Sequence, residues 1–244
     1  MIDLHCHILP GVDDGAADLD EALDMAWMSV RSGVKAIVAT PHCNLPGNGE
    51  PNYLDHDLLD RIIRLRRAID DQQIPLRLYA GSEVFCTPDV VELLTSQLLL
   101  PLAGSRYLLT EFFFDESPQF MDHCLHSLAA QGCRPIVAHP ERYDAVQRDP
   151  QLAAYWFSQG YLLQVNKGSI LGSLGSRSHT AARWILQRGL AHAVASDAHD
   201  LQGRSPAMDT LRHHLEDNYS PEYAWVLLHG NPARIVRDKD ILHA

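Results

Sequence analysis

Cysteine is scarce in this sequence, and its few cysteines are not paired by spacing. The chain of 244 residues has five, without any C-x-x-C arrangement. They are Cys6, Cys43, Cys86, Cys124 and Cys133. An odd number without close pairs argues against a disulfide framework and against a thiolate zinc site, and it suits a reducing compartment. We therefore expect a cytoplasmic protein.

Basic residues and long apolar runs are also in short supply. The chain has 20 Lys and Arg against 31 Asp and Glu, a formal net charge of -11. Because contacts to phosphate backbones need clustered positive charge, this balance argues against a nucleic-acid partner. A membrane-spanning helix needs about 18 apolar residues, and no apolar segment of this sequence approaches that length. The first residues do not form a basic stretch followed by an apolar run. We expect neither membrane insertion nor a signal peptide.

Short apolar runs alternate with helix-type segments along the whole chain. The runs typical of strands cover residues 2–8, 35–40, 76–83, 107–112, 135–139, 161–166 and 192–197. The segments with helical spacing cover 19–31, 54–71, 89–96, 120–131, 151–159 and 180–188. This alternation predicts an α/β fold with a parallel sheet, and seven units predict a TIM-like (β/α)7 barrel in a single domain over residues 1–244. Residues 45–52 are irregular and are expected to form a loop beside the active face.

Groups that can bind metals stand at the C-terminal ends of nearly all the predicted strands. The first strand carries His5 and His7 on one face and Cys6 on the opposite, core-facing side. The full set contains five histidines and four carboxylates: His5, His7, Asp14, His42, Glu83, Glu111, His139, Asp197 and His199. In a β/α barrel these ends converge on one face, where active sites lie. The set exceeds the need of one ion, so we predict two or three divalent ions, with manganese, iron or zinc suited to mixed nitrogen and oxygen ligands.

Two arginines follow predicted ligands and indicate the substrate. Arg142 comes shortly after His139, and Arg204 shortly after His199. Three divalent ions would outweigh the charge of four carboxylates, so the pocket would attract a compact dianion. A guanidinium matches phosphate oxygens in a bidentate way, and we therefore predict a phosphate ester as substrate.

These residues resemble the polymerase-and-histidinol-phosphatase (PHP) superfamily. Its four metal motifs are matched by His5-Cys6-His7, Glu83, His139 and Asp197-Ala198-His199. Within that superfamily, residues 1–15 resemble the N-terminus of the bacterial capsule-associated tyrosine phosphatases. Residues 39–42, 138–142, 164–166, 195–199 and 231–236 resemble the same enzymes. The likeness covers essentially the whole chain.

The resemblance implies a distorted seven-stranded barrel that carries a metal cluster, usually manganese, and hydrolyses phosphotyrosine. Its implied target is the tyrosine-rich tail of a bacterial tyrosine kinase that controls capsule or exopolysaccharide export. The nine groups would hold the metals, and Arg142 and Arg204 would bind the phosphate. Together with Asp197 and His199 they form the predicted catalytic group, and a hydroxide bridging the ions is the expected nucleophile. Asp3 and Ser196 are candidates to orient imidazoles.

Several alternatives stay open at this point. No cysteine has an arginine six residues later, which argues against a cysteine-based tyrosine phosphatase. A histidinol-phosphate phosphatase, or another small phosphomonoesterase of the same superfamily, would use similar ligands. An alternative from another class of protein is a metal-bound regulatory or binding module without catalysis. A nuclease and an amidohydrolase are less favoured. The sequence leaves the oligomeric state open, and core packing is the expected role of residues 112–114 and of Trp225.

Overall fold

The computed structural model describes residues 1–47 and 51–242. The predicted loop over 45–52 is therefore described only in part, because residues 48–50 lie outside those ranges. The strands are β1 (Ile2–Cys6), β2 (Ala36–Ala39), β3 (His42–Cys43), β4 (Arg77–Ala80), β5 (Glu83–Phe85), β6 (Tyr107–Glu111), β7 (Arg134–Ala138), β8 (Leu162–Asn166) and β9 (Ala193–Ala195). The α-helices are α1 (Leu19–Arg31), α2 (His56–Asp71), α3 (Val90–Thr95), α4 (Pro118–Ala130), α5 (Asp144–Arg148), α6 (Gln151–Ser158), α7 (Lys167–Leu171), α8 (Ser176–Gln187), α9 (Asp209–Asn218), α10 (Pro221–Trp225) and α11 (Asn231–Ile235).

All strand pairs are parallel, which confirms the predicted α/β class. One sheet has the order β1-β2-β4, and the other has the order β3-β5-β6-β7-β8-β9. The two sheets meet where β9 ends beside β1: the amide of Asp197 donates to the carbonyl of His5 at 2.9 Å, and that of His7 donates to Ala198 at 2.9 Å. Because paired strands run parallel, their C-terminal ends point the same way within each sheet.

The predicted closed barrel of seven strands is not confirmed, since the described residues form nine strands in two sheets. Two of the predicted strands stop and resume. β2 is separated from β3 by a segment containing Pro41, which has no amide hydrogen to donate to a ladder. β4 is separated from β5 at Gly81, where an added Cβ would lie 2.8 Å from the side chain of Val38. Both interruptions stand immediately before predicted metal ligands.

The helices that were predicted agree with their spans to within about two residues at each end, except α8, which begins four residues before its predicted start. Helix α1 begins after Asp18, whose side chain accepts from the amide of Glu21 at 2.9 Å. Helix α4 begins two residues earlier than predicted, because Ser117 caps it and Pro118 occupies its first turn. The helices α5, α7, α9, α10 and α11 were not predicted; four of them have five residues, too few to show a helical period. None of the described helices has the length and apolar character to cross a bilayer.

Two apolar clusters form the core. The larger one packs strand residues against the helices, and the smaller one, which we call the inner cluster, joins strands of both sheets. The inner cluster contains Leu4, Val38, Leu102, Tyr107, Leu109, Ile136, Ala138, Leu162, Ala193, Ile235, Val236 and Ile241. The strict alternation predicted for β1 is wrong in one respect, because the pairing with β2 shifts register between Asp3 and Cys6. Leu4 therefore lies in the inner cluster, whereas Cys6 packs in the larger one, as core packing predicted.

Candidate metal centre

The structure brings all nine predicted ligands together. Seven of them lie at or after the C-terminal ends of β1, β6, β7 and β9, whereas His42 and Glu83 are the first residues of the short strands β3 and β5. Their imidazole nitrogens and carboxylate oxygens form a continuous set of contacts between 2.9 and 3.7 Å. Three overlapping groups could each hold an ion: His5, His7 and Glu83; His42, Glu83 and Glu111; and His7, Asp14, His42 and His199. The ligand atoms within each group lie within 4.8 Å of one another.

Glu83 occupies the middle of the first two groups. Its Oε2 lies 3.1 Å from Nε2 of His5, 3.3 Å from Nε2 of His7 and 3.1 Å from Nδ1 of His42. Its Oε1 lies 2.9 Å from Nε2 of His139. Glu83 is thus shared by two candidate groups, and if both held an ion its carboxylate would be available to each of them.

The remaining predicted ligands surround this carboxylate. Glu111 lies 3.3 Å from Nδ1 of His42 through one oxygen and 3.5 Å from His139 through the other. Asp197 lies 3.3 Å from Nε2 of His5. Asp14 is largely exposed, and its Oδ1 lies 3.3 Å from Nε2 of His199. All of them except Asp14 and His42 are buried, so the centre is open on the side of those two residues.

The electrostatics and the unpaired atoms both fit bound cations. Burial alone would raise the pKa of Glu83, but the imidazoles of His5 and His42 hold it well below its usual value. Burial lowers the pKa of His5, but the negative charges of Glu83 and Asp197 raise it by more, so the pKa lies above its usual value. Among the described residues, five buried atoms of this cluster lack a partner with hydrogen-bond geometry: Nδ1 of His42, Oε2 of Glu111, Nδ1 of His139, Oδ1 of Asp197 and Nε2 of His199. All of them except Nδ1 of His139 nevertheless lie within 3.3 Å of another ligand atom of the cluster. Buried polar atoms are normally paired, so this concentration matches a donor set for divalent ions.

Two of the predicted ligands have a backbone conformation that is costly for residues other than glycine. His139 has φ 33° and Asp197 has φ 51°, both in the left-handed region that residues other than glycine rarely adopt. Each such conformation costs on the order of 1 to 3 kcal/mol and persists only where the surroundings hold it. Gly15 meets a related constraint, because a Cβ there would lie 2.0 Å from the carbonyl oxygen of His7. These positions direct ligands toward the centre at a cost to the backbone.

The groups that orient the imidazoles are not the ones that the sequence suggested. Oδ2 of Asp13 lies 2.7 Å from Nδ1 of His7, and Oε1 of Gln164 lies 2.9 Å from Nδ1 of His5. Such partners select the ring nitrogen that faces a metal. The side chain of Asp3 instead accepts hydrogen bonds from Ser196, and within the described residues neither of the two side chains reaches an imidazole. Gln164 belongs to a motif already noted, but its contact is 159 residues away in the chain.

Both predicted phosphate-binding arginines point into the centre. Nη1 of Arg142 lies 3.3 Å, and Nη2 of Arg204 lies 2.5 Å, from the same Oδ2 of Asp197. Asn166 also donates to that oxygen at 2.5 Å. Burial raises the pKa of Asp197, but the charges of His5 and Arg204 and a hydrogen bond from His7 leave it well below its usual value. The two guanidiniums are partly exposed, so they can reach an anion that enters from solvent.

The loop that carries Arg204 is held by two side chains that the sequence did not single out. Asp200 accepts from the amides of Gln202, Gly203 and Arg204. Lys167 is buried, and its Nζ donates to the carbonyls of Ser205 and of Ala207, the latter at 3.0 Å. These contacts fix the loop and thereby the position of the Arg204 guanidinium.

The expectation of core packing for the aromatic residues is correct for only one of the four. Phe112 is buried, whereas Phe113, Phe114 and Trp225 are exposed. Phe112 follows the last residue of β6 and continues its buried side, and the chain then turns outward. Apolar character alone does not reveal whether the residue after a strand still faces the core.

Comparisons with known proteins agree over the full length. The family model for capsular polysaccharide synthesis, CpsB/CapC, matches residues 1–237. The tyrosine-protein phosphatase YwqE of Bacillus subtilis is 32% identical over 241 residues, which cover 99% of this chain and 93% of that protein. The tyrosine-protein phosphatase CpsB of Streptococcus pneumoniae is 30% identical, with 98% and 99% covered.

Solved structures give the same picture. A chain from the crystal structures of YwqE of Bacillus subtilis and CpsB of Streptococcus pneumoniae, described as metal-dependent tyrosine phosphatases, superposes with a TM-score of 0.92 and 32% identity. It matches 100% of this chain and 97% of that one. An organophosphorus hydrolase from Deinococcus radiodurans superposes with a TM-score of 0.58 at 13% identity, over 96% of this chain and 92% of that one. At that identity the likeness concerns the fold alone.

Proposed function

Since the chain belongs to the CpsB/CapC family of capsular polysaccharide synthesis, we propose that it is a metal-dependent protein-tyrosine phosphatase. Relatives matched over nearly their whole length carry the name tyrosine-protein phosphatase. The main structural support for this proposal is the position of Glu83, which two groups of potential metal ligands share. Two guanidiniums lie beside these groups. That combination suits a phosphate monoester bound over a metal cluster.

The proposed metal ligands are the nine residues predicted from the sequence, arranged around two or three ions. Their mixed nitrogen and oxygen donors favour manganese, with iron or zinc as alternatives. When bound, such ions supply Lewis acidity, which lowers the pKa of water and withdraws charge from phosphoryl oxygens. Asp13 and Gln164 hold the His7 and His5 rings in the orientation that presents Nε2 to the centre.

Arg142 and Arg204 act on the substrate in this scheme. Both guanidiniums now pair with one carboxylate oxygen of Asp197, and a phosphate dianion offers them more oxygens in the same place. They neutralise the phosphoryl oxygens, whose charge must be stabilised in the transition state. Tyrosine leaves as a phenolate with a pKa of about 10, which is far below that of a serine alkoxide, so we assign no general acid. Asp197 and His199 contribute through their position among the ligands.

The finer structural and biological predictions are part of the same proposal. We propose that residues 1–244 form one phosphatase domain in which the two sheets act as a distorted barrel of seven units. The parallel pairing of β2 with β4 is followed by that of β3 with β5. The hydrogen bonds between β1 and the residues directly after β9 support closure. The proposed substrate is a phosphotyrosine-containing protein, namely a bacterial tyrosine kinase of capsule or exopolysaccharide synthesis. Its cytoplasmic location stays a prediction.

The first experiment compares substrates on protein loaded with manganese. We expect hydrolysis of a phosphotyrosyl peptide, little hydrolysis of a phosphoseryl peptide, and little of histidinol phosphate. Elemental analysis of the same sample should find two or three transition-metal ions per chain. High turnover on histidinol phosphate alone would favour the small-molecule phosphatase instead, and no turnover on any aryl phosphate would favour the regulatory module.

The second experiment tests the arginines. Arg142→Ala and Arg204→Ala should each lower kcat/KM for the phosphotyrosyl peptide by about 10²-fold or more, because each removes a positive charge from the phosphoryl oxygens. Metal content should stay at the wild-type level. Arg148→Ala is the matched control, since that guanidinium is exposed and pairs with Asp144. Full turnover in both arginine variants would refute the phosphate-binding role.

A further inference from the structure

An aromatic side chain borders the metal centre and yet remains open to solvent. Phe114 is 42% exposed, three residues after Glu111. Its backbone is fixed, because its carbonyl accepts from the amide of Asp144 at 2.8 Å. Two residues earlier, the amide of Phe112 donates to the hydroxyl of Tyr143 at 3.2 Å. The exposure of Phe114 therefore belongs to an anchored segment.

The ring of Phe114 contacts residues of the centre on two sides. The guanidinium carbon of Arg142 lies 4.4 Å from the ring centroid, within the range of a cation–π interaction. The ring of His139, a proposed metal ligand, has its centroid 6.0 Å away. Its neighbour Phe113, which is 48% exposed, packs instead against Phe85 with centroids 4.6 Å apart. Of these two adjacent exposed rings, that of Phe114 therefore contacts a proposed phosphate-binding residue, whereas that of Phe113 contacts Phe85.

We propose that Phe114 binds the aromatic ring of the substrate and thereby selects aryl over alkyl phosphates; this inference rests on the proposed function. In an aryl phosphate the ring is joined to phosphorus through a single oxygen. A phosphate held by Arg142 therefore brings that ring beside the arginine, where Phe114 offers an exposed aromatic surface. Offset or edge-to-face packing of two rings adds attraction beyond the burial of apolar area. A seryl side chain has no ring to make this contact.

The competing explanation is that Phe114 only holds Arg142 in place. Loss of the ring would then weaken every phosphate ligand by the same factor, because the guanidinium binds the phosphoryl oxygens alone. A contact to the substrate ring, by contrast, affects only ligands that carry one. The ratio of affinities for two ligands with the same anionic group distinguishes the two explanations.

The probes are phenylphosphonate and methylphosphonate, which share the anionic group and are not hydrolysed. Their affinities for the manganese-loaded protein are measured by titration calorimetry and as inhibition of phosphotyrosyl-peptide turnover. We expect the wild type to prefer phenylphosphonate. Phe114→Leu should weaken phenylphosphonate by about tenfold, leaving methylphosphonate within about twofold. Phe114→Tyr keeps a ring and should keep most of the preference, and it remains informative should the leucine variant fold poorly.

Trp225→Leu is the control, since it removes an exposed aromatic side chain on α10. It should change neither affinity. Equal weakening of both phosphonates in Phe114→Leu would overturn the proposal in favour of a role through Arg142 alone. Equal affinity of the wild type for the two probes, or no affinity for either, would overturn it as well. A different result would refute the proposed function itself: the wild type would bind the phosphonates but would not hydrolyse the phosphotyrosyl peptide.

Discussion

The two ends of the same strands have opposite characters. On β6, Leu109 packs in the inner cluster, and Glu111, two residues later, lies in the metal centre. On β8, Leu162 belongs to the inner cluster, whereas Gln164 holds an imidazole. Full burial of one leucine contributes about 1.5 to 3 kcal/mol to folding, whereas burying a charge without a partner costs several.

The difference indicates a division of labour along the strands. The N-terminal halves supply apolar burial, which stabilises the fold whether or not ions are bound. The C-terminal ends, together with the residues that follow them, hold buried acids and two residues with a strained backbone, His139 and Asp197. Those features are unfavourable for the protein alone, and in the proposed function bound cations would neutralise the acids. Substitutions at the two ends should therefore separate activity from stability.

Glu83→Gln should have the largest effect. One of its oxygens serves two groups of ligands, so the change should reduce metal content and lower kcat/KM for a phosphotyrosyl peptide by at least about 10³-fold, equivalent to several kcal/mol of transition-state stabilisation. Elemental analysis and steady-state kinetics measure both quantities. Glu222→Gln, on the exposed side of α10, is the control and should leave both unchanged. If Glu83→Gln kept its metal and its turnover, the proposed distinction between the apolar and the ligand-bearing ends of the strands would be wrong.

Leu109→Ala tests the apolar end. The side chain is fully buried, so its truncation leaves a cavity and should lower the free energy of unfolding by about 2 to 5 kcal/mol. Denaturant titration measures this loss, and kcat and metal content at low temperature should stay close to the wild type. Leu19→Ala is the control, because Leu19 is exposed on α1 and its loss should change stability by less than about 0.5 kcal/mol. A drop in metal content without a loss of stability would contradict the division.

Gln164→Ala should have the smallest of the three effects. Its amide oxygen orients His5 without belonging to the ligand set, so metal affinity should fall by about 10- to 100-fold while the fold persists. Competition with a chelator measures the affinity. Asp3→Asn is the matched control, because this buried carboxylate accepts from Ser196 and not from a ligand ring. If Asp3→Asn weakened metal binding as much as Gln164→Ala, the assignment of the orienting residues would be wrong.

Much of the centre could be predicted because its ligands follow apolar runs. A short apolar strand fixes which residues lie at its end, and parallel strands bring their ends to one side. His42 and Glu83 were predicted in this way, and the structure places them beside other candidate ligands, although the strands before them are interrupted. The orienting contact of Gln164 could not be found, because it depends on which ring a strand meets far away in the chain. The exposure of Phe114 depends on where the chain turns after β6.

The sequence by itself determined the α/β class, the alternation of its longer strands and helices and the residue types of the candidate ligands, because these depend on local periodicity and on residue type. The tertiary structure alone decided how the strands divide between two sheets and which atoms meet. Pro41 and Gly81 interrupt two strands through a missing amide hydrogen and a close approach. Asp13, in the loop after β1, pairs with His7, whereas Asp3 accepts from Ser196, because the fold and not the spacing decides which segments meet.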